Sequence, residues 1–137
     1  MMIRLQVSDK DSTARSSAHP VSQGIVAERL AARFLERQGL AVVARNYRCR
    51  GGEVDLICRD GRALVFVEVR LRRSMSHGGA AASITTVKQR RIVLAARHYL
   101  ASRPCADGEC DCRFDCLLLD RVAEAAIVWI RDAFSAA

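Results

Sequence analysis

The feature that constrains the fold most is a pair of alternating runs joined by an Asp-Gly dipeptide. Apolar and polar residues alternate from Glu53 to Cys58 and from Ala63 to Leu71, with RDGR between them. Asp-Gly is a strong hairpin signal because both residues tolerate the positive φ of a type I′ turn. We therefore predict a β-hairpin whose two central turn residues are Asp60 and Gly61.

This turn would fix the register of the hairpin, with Asp55 opposite Phe66 and Glu53 opposite Glu68. Side chains of a strand alternate between faces, so one side of the sheet collects four polar residues: Glu53, Asp55, Glu68 and Arg70. The valines of the second strand then face the other side, against the core. Asp55 and Glu68 are diagonal neighbours, close enough for their carboxylates to share a cation.

Neighbouring carboxylates repel each other unless a proton, a basic partner or a metal ion intervenes. Oxygen ligands of this kind suit Mg²⁺ or Mn²⁺, which can activate a phosphodiester towards attack by water. The alternative is a solvated sheet face on which Glu53 and Glu68 pair with arginines, and spacing alone favours it. Glu28 lies on the apolar stripe of a predicted helix, where an acid is unusual; its alternative is a boundary position that reaches solvent.

The remaining patterns predict one α/β domain with the element order α-β-β-β-α-β-β, which suits a chain of 137 residues. Residues 1–20 are polar and predict a disordered arm, residues 21–132 the domain, and residues 133–137 a tail. Beside the hairpin we expect two helices and three strands: 21–38 and 83–101 as helices, and 40–47, RFDCLLLD and AAIVWIRD as strands.

The net charge of +7 and the pI of about 9.6 indicate a polyanionic partner such as nucleic acid. A basic protein without such a partner is the alternative. No apolar segment is long enough to cross a membrane, and the N-terminus lacks the plan of a signal peptide. We therefore predict the cytoplasm, where the six cysteines would be reduced thiols.

Four of the cysteines lie close together: Cys105, Cys110, Cys112 and Cys116. Their spacing is not the paired C-x₂-C form of a zinc site, and Cys116 falls within a predicted strand, where a thiol packs as a small apolar group. We predict free thiols rather than structural zinc.

Arginines near the predicted acidic site suit phosphate contacts, which position a nucleic acid without reading its sequence. They are Arg45, Arg48, Arg50, Arg72, Arg73, Arg90 and Arg91. No sequence-reading module is recognisable, so nonspecific or structure-selective binding is predicted. For Arg113 and Asp115 of the RFD segment we predict structural pairing, with a DNA contact as the alternative.

Several segments, in this order along the chain, resemble the YraN-type family of bacterial proteins. They are GIVAERLAARFLERQGLAVVARNYR, GEVDLI, LVFVEVRLR, VKQRR and RFDCLLL, and they span about residues 24–119. Members of that family are described as predicted endonucleases, distantly similar to archaeal Holliday junction resolvases. The resemblance implies the restriction-endonuclease-like fold, a central mixed sheet flanked by helices, with an active site of the PD-(D/E)XK type.

The resemblance also implies roles for individual residues. Asp55 takes the place of the motif aspartate, Glu68 that of its second acid, and Glu28 that of the helical acid in resolvase-like members; these three would hold the metal ion. Arg70 stands where the motif has lysine, and a guanidinium stays protonated, so it can stabilise a phosphate but differs from lysine in geometry. Lys88 faces the core on the second helix and is a candidate replacement; the alternative is a lysine extended over the helix edge.

The predicted function is therefore metal-dependent hydrolysis of phosphodiester bonds in DNA, including branched or otherwise structured DNA. Arg70 in the lysine position keeps an alternative open: a catalytically inactive nuclease-fold protein that binds nucleic acid or a protein partner. A homodimer is compatible with the resemblance, since resolvase-like relatives are often dimers, but no interface is evident in the sequence.

Overall fold

The computed structural model describes residues 22–71, 84–103, 105 and 110–136. The elements, in chain order, are α1 (Gln23–Arg37), β1 (Ala41–Cys49), β2 (Gly52–Asp60), β3 (Ala63–Leu71), α2 (Thr86–Ser102), β4 (Asp111–Leu119), a 3-10 turn (Glu124–Ala126) and β5 (Ile127–Phe134). This order confirms the predicted α-β-β-β-α-β-β arrangement. The predicted domain boundary at residue 132 lies two residues before the end of β5, and the predicted arm, 1–20, lies outside the described residues.

The five strands form one mixed sheet in the order β1-β2-β3-β4-β5. Strands β3 and β4 are parallel, and the other neighbouring pairs are antiparallel. Parallel neighbours require a crossover connection, and here α2 lies between them in the chain. The sheet therefore combines an N-terminal meander with one β-α-β unit.

The two helices pack on opposite faces of the sheet. Val65 and Val67 of β3 are buried with residues of α1, whereas Leu64 and Phe66 are buried with residues of α2. Successive side chains of a strand point to opposite faces, so the centre of the sheet is covered on both sides. The alternative of a solvated hairpin face is therefore wrong for the middle of β3.

Both helices begin with a hydroxyl cap. The Ser22 side chain accepts from the Ile25 amide at 3.2 Å, and the Thr85 side chain accepts from the Lys88 amide at 3.1 Å. Gly39, which follows the first helix, has φ +97°, a conformation that glycine adopts without a steric penalty. These caps fix where each helix begins and ends relative to the sheet.

The predicted hairpin register is wrong by two residues. Asp60 pairs with Ala63 and Leu56 pairs with Val67, so the central turn residues are Gly61 and Arg62. Gly61 takes the positive φ of +62° that the turn requires. A shift of two residues preserves the faces of the side chains, which is why the predicted grouping of Asp55 with Glu68 survives the error.

The prediction of free thiols is wrong for one pair of cysteines. Cys105 and Cys110 form a disulfide, with their Cα atoms 5.9 Å apart, a separation within the range that a disulfide spans. Cys112 and Cys116 are free, and Cys116 is buried.

Neither described helix is long and apolar enough to cross a bilayer.

The close approach of α2 to β2 at Gly52 yields a stability prediction. A Cβ there would lie 2.7 Å from the Arg91 carbonyl oxygen and 2.9 Å from the Ala95 amide nitrogen. Both are backbone atoms, so Gly52→Ala should lower the free energy of unfolding by about 1–3 kcal/mol, measured by urea denaturation. Gly24→Ala is the control, because the nearest heavy atom to its Cβ would be 3.9 Å away; equal effects of the two substitutions would contradict the prediction.

Candidate functional site

The site lies where β2 and β3 diverge. Their last pairing in this direction is Leu56 with Val67. Beyond it the Val69 amide donates to Asp55 Oδ2 at 2.8 Å, so a carboxylate replaces a backbone partner at this point. The side chain of Asp55 is thereby held between the two strands, and the gap exposes the polar end of β3.

Glu68 is the buried acid of the site, with only 4% of its surface exposed. Lys88 Nζ, from the first turn of α2, lies 3.0 Å from Glu68 Oε2. Burial raises the pKa of Glu68 to about 7, repulsion from Asp55 contributes, and Lys88 opposes the rise. A carboxyl group with this pKa changes its protonation state near neutral pH, which is a property of functional acids.

Glu28 approaches the same site from α1. Burial raises the pKa of Glu28, and repulsion from Asp55 raises it further, whereas a hydrogen bond from the Asn46 side chain and the charge of Arg48 lower it. Glu28 and Glu68 therefore both interact with Asp55, from opposite sides of the sheet. The structure thus brings together the three acids that the sequence pattern and the family resemblance singled out.

Arg70 completes the group. Its Nε atom is buried and has no hydrogen-bond partner among the described residues. A buried donor without a partner costs free energy, so this atom is suited to an anionic ligand.

These side chains line one cavity of about 300 Å³. Both helices contribute to its wall, and the β2–β3 gap forms its floor. Its lining is Gly24, Ala27, Glu28, Asp55, Glu68, Val69, Arg70, Leu71 and Lys88. We refer to it as the acidic cavity. The small residues Gly24 and Ala27, which the sequence did not single out, leave the space open on the α1 side.

The donors of the acidic cavity fit Mg²⁺ or Mn²⁺. Among the described residues no three His, Cys, Asp or Glu side chains form a ready-made metal cluster. Mg²⁺, however, usually binds through one or two carboxylates and keeps several waters. Asp55 and Glu68 provide such a pair, and the rise that Asp55 causes in the Glu68 pKa is a repulsion that a cation would relieve.

Glu53 is not part of the acidic cavity, contrary to the predicted alignment of four polar side chains. Its carboxylate lies 3.8 Å from both Arg48 Nε and an Arg91 nitrogen. The reason is a break in the alternation of β2. Val54 and Ile57, three residues apart, are both buried with residues of α2, whereas Leu56 is buried with residues of α1.

Of the arginines predicted to contact nucleic acid, Arg45, Arg48, Arg50, Arg90 and Arg91 are exposed. Arg72 and Arg73 lie outside the described residues. Arg48 and Arg91 meet at Glu53, so their charge is partly neutralised.

Arg113 and Asp115 form the predicted structural pair. Arg113 Nε lies 3.0 Å from Asp115 Oδ1, and Asp60 lies 3.1 Å from another Arg113 nitrogen. Asp115 is fully buried and also accepts from the Trp129 indole at 2.9 Å. This network connects β4 to β5 and to the hairpin turn, away from the acidic cavity.

The comparisons with known proteins agree with one another. A family model described as "Uncharacterised protein family UPF0102" matches residues 27–119, a range that includes every acid of the cavity. Three relatives described as UPF0102 proteins come from Dechloromonas aromatica, Methylobacillus flagellatus and Aeromonas hydrophila. They are 55%, 51% and 52% identical to this chain, over 96%, 80% and 82% of it and 98%, 94% and 85% of their own lengths.

The raised pKa of Glu68 predicts how stability depends on pH in EDTA. The native state binds this proton more tightly than the unfolded chain, so the contribution of Glu68 is complete below pH 4.5 and is lost as the pH rises through about 7. Glu68→Gln does not titrate. Between pH 5 and pH 8 the free energy of unfolding of this variant should therefore rise by about 1–3 kcal/mol relative to that of the unchanged protein. Urea denaturation at the two pH values measures it.

Glu36→Gln is the matched control, because Glu36 is exposed on α1. Its free energy of unfolding should follow that of the unchanged protein at both pH values. If Glu68→Gln behaved in the same way, Glu68 would not be the titrating group.

Proposed function

The chain belongs to the uncharacterised protein family UPF0102, and we propose that it is a metal-dependent endonuclease that hydrolyses phosphodiester bonds in DNA. The observation that carries the proposal is the buried Glu68 carboxylate between Asp55 and Lys88 on the acidic cavity. Burying an acid beside another acid costs folding free energy. A hydrolytic site that must bind a cation supplies a reason for that cost.

In this proposal Asp55 and Glu68 would hold Mg²⁺ or Mn²⁺, and such an ion would supply a Lewis acid for the phosphodiester and for a water molecule. The Val69 amide orients Asp55, so one carboxylate oxygen is directed before any ligand arrives. Glu28, whose pKa is raised by burial and by repulsion from Asp55, lines the same cavity as the third acid.

Two basic side chains complete the proposed chemistry. Lys88 Nζ is 3.0 Å from Glu68 and lies at the position from which an ammonium can orient a water molecule or neutralise charge on the phosphate. The unpartnered Nε of Arg70 can donate to a phosphate oxygen and stabilise the charge that develops there. Lys88 thus supplies from α2 what the family motif places on the strand.

The surroundings of the cavity favour a polyanionic substrate. The chain carries 22 Lys and Arg residues against 15 Asp and Glu, and the exposed arginines on β1 and α2 offer phosphate contacts. Such contacts do not read sequence. We therefore propose that the substrate is DNA, including branched DNA, recognised by its backbone and shape in the cytoplasm. A homodimer is compatible with this proposal.

A binding-only function is the second candidate, and the same ion pair favours it. Lys88 forms an ion pair with Glu68, so part of the negative charge at the site is compensated without a cation. Arg70 does not restore the motif lysine on β3. A protein of this kind would bind nucleic acid or a protein partner without cleaving.

Cleavage by the unchanged protein, and its loss in Asp55→Asn, distinguish the nuclease from a protein that only binds. An amide is a poor ligand for Mg²⁺ or Mn²⁺, so cleavage of a four-way junction and a linear duplex with Mn²⁺ should fall by at least about 100-fold. Binding of the junction in EDTA should be retained. Asp120→Asn, at an exposed position, is the control and should cleave normally; unchanged cleavage by Asp55→Asn would reject the proposed site.

A second comparison tests the contributions of Lys88 and Arg70 to the cleavage rate. Lys88→Gln should lower the cleavage rate by about 10²–10³-fold and Arg70→Gln by at least about tenfold, with single-turnover rates as the measurement. Arg121→Gln, at an exposed position, is the control. Unchanged rates in both site variants would show that neither group assists.

A further inference from the structure

A second cleft adjoins the acidic cavity, between α1 and β1. Its volume is about 240 Å³, and it is lined by Ile25, Glu28, Arg29, Arg45, Asn46 and Leu56. Glu28 lines both spaces, so they share a wall. We call this space the α1–β1 cleft; it is smaller than the roughly 300 Å³ at which pockets for drug-sized ligands begin.

An irregularity in β1 turns two consecutive polar side chains into this cleft. Ala44 and Tyr47, three residues apart, both pack against the apolar residues that are buried with α2. Arg45 and Asn46 between them are exposed. Asn46 has φ +50°. Asparagine tolerates this left-handed conformation better than most residues, and backbone strain of this kind concentrates at functional sites.

The chemistry of the cleft is mixed. Arg29 and Arg45 are exposed, and neither forms an ion pair with any residue that the structure describes. Guanidinium groups bind phosphate and stack on bases. The Asn46 amide donates one hydrogen bond to Glu28, and its second N–H and its carbonyl oxygen can pair with a base edge. Ile25, which is 47% exposed, offers an apolar surface, whereas Leu56 is buried.

No single simple ligand explains this set. A phosphate alone would use the two arginines but not the apolar wall, and a purely apolar ligand would leave both charges without a role. A nucleotide presents an anionic phosphate, a polar base edge and a flat apolar face together. Its phosphate backbone would also continue into the adjoining acidic cavity.

We propose that the α1–β1 cleft is a subsite for one nucleotide, the neighbour of the phosphodiester held at the acidic cavity, with Asn46 contacting its base and Arg29 and Arg45 its phosphate. This inference rests on the proposed action on DNA. It adds a requirement for an unpaired or extruded base, since a base within a duplex would not reach the cleft.

The test combines protein variants with abasic DNA. A fluorescent forked duplex is prepared with a single abasic site at each successive nucleotide around the fork. Binding is measured by anisotropy in EDTA, so that cleavage plays no part. For the unchanged protein, one abasic position should weaken binding by about 3- to 10-fold, because the hydrogen bond of the base with Asn46 and its contact with Ile25 are lost.

Asn46→Gly removes the amide and retains the positive φ. It should weaken binding of intact DNA by a similar factor and abolish the sensitivity to that abasic position. Asp132→Gly is the backbone control, since Asp132 has φ +53° on β5; it should change neither value. Arg29→Gln should reduce affinity about 3- to 10-fold, whereas Arg33→Gln, one turn further along α1 and outside the cleft, should not.

The possible outcomes distinguish the subsite proposal from the nuclease proposal. If Asn46→Gly weakened intact and abasic DNA equally at every position, the subsite would be rejected while the nuclease proposal stood. Position-specific sensitivity that Asn46→Gly abolishes, in a protein that never cleaves, would support the subsite and reject the nuclease. No binding of any DNA by the unchanged protein would reject both.

Discussion

Burial of β3 on both faces is the constraint on which the rest of the structure depends. Val65 and Val67 pack against α1, and Leu64 and Phe66 against α2, so a polar side chain on this strand must find partners within the protein. Glu68 is the first residue after this apolar stretch, and it finds Lys88 and Asp55. The acidic cavity therefore forms where the apolar stretch of β3 ends, at the point where β2 and β3 diverge.

The sequence predicts much of this because side-chain alternation is a local property. Its period of two grouped Asp55 with Glu68 even though the assumed turn was displaced by one residue. It failed at Glu53, because β2 breaks its alternation between Val54 and Leu56. Such a break depends on how both helices pack, and no local residue pattern announces it.

Lys88 and Asn46 illustrate two limits of prediction from the sequence. Lys88 was predictable as a candidate because helical spacing placed it on the core-facing stripe, but its contact with Glu68 depends on the cap at Thr85 and on the crossover of α2. Asn46 was not predicted to act at all. Its proposed role in the α1–β1 cleft depends on a φ of +50° within a strand, and an asparagine that follows Arg45 in the sequence does not by itself indicate that conformation.

The Lys88–Glu68 pair connects folding to the proposed chemistry. A buried acid next to Asp55 would destabilise the metal-free protein strongly if it had no cationic partner, and Lys88 is that partner. In the proposed function a divalent cation and the Lys88 ammonium would compete for the same carboxylate. Binding of the cation would then free an ammonium group in the cavity that Arg70 also lines. One side chain on α2 would thus stabilise the protein without the cation and assist the proposed reaction with it.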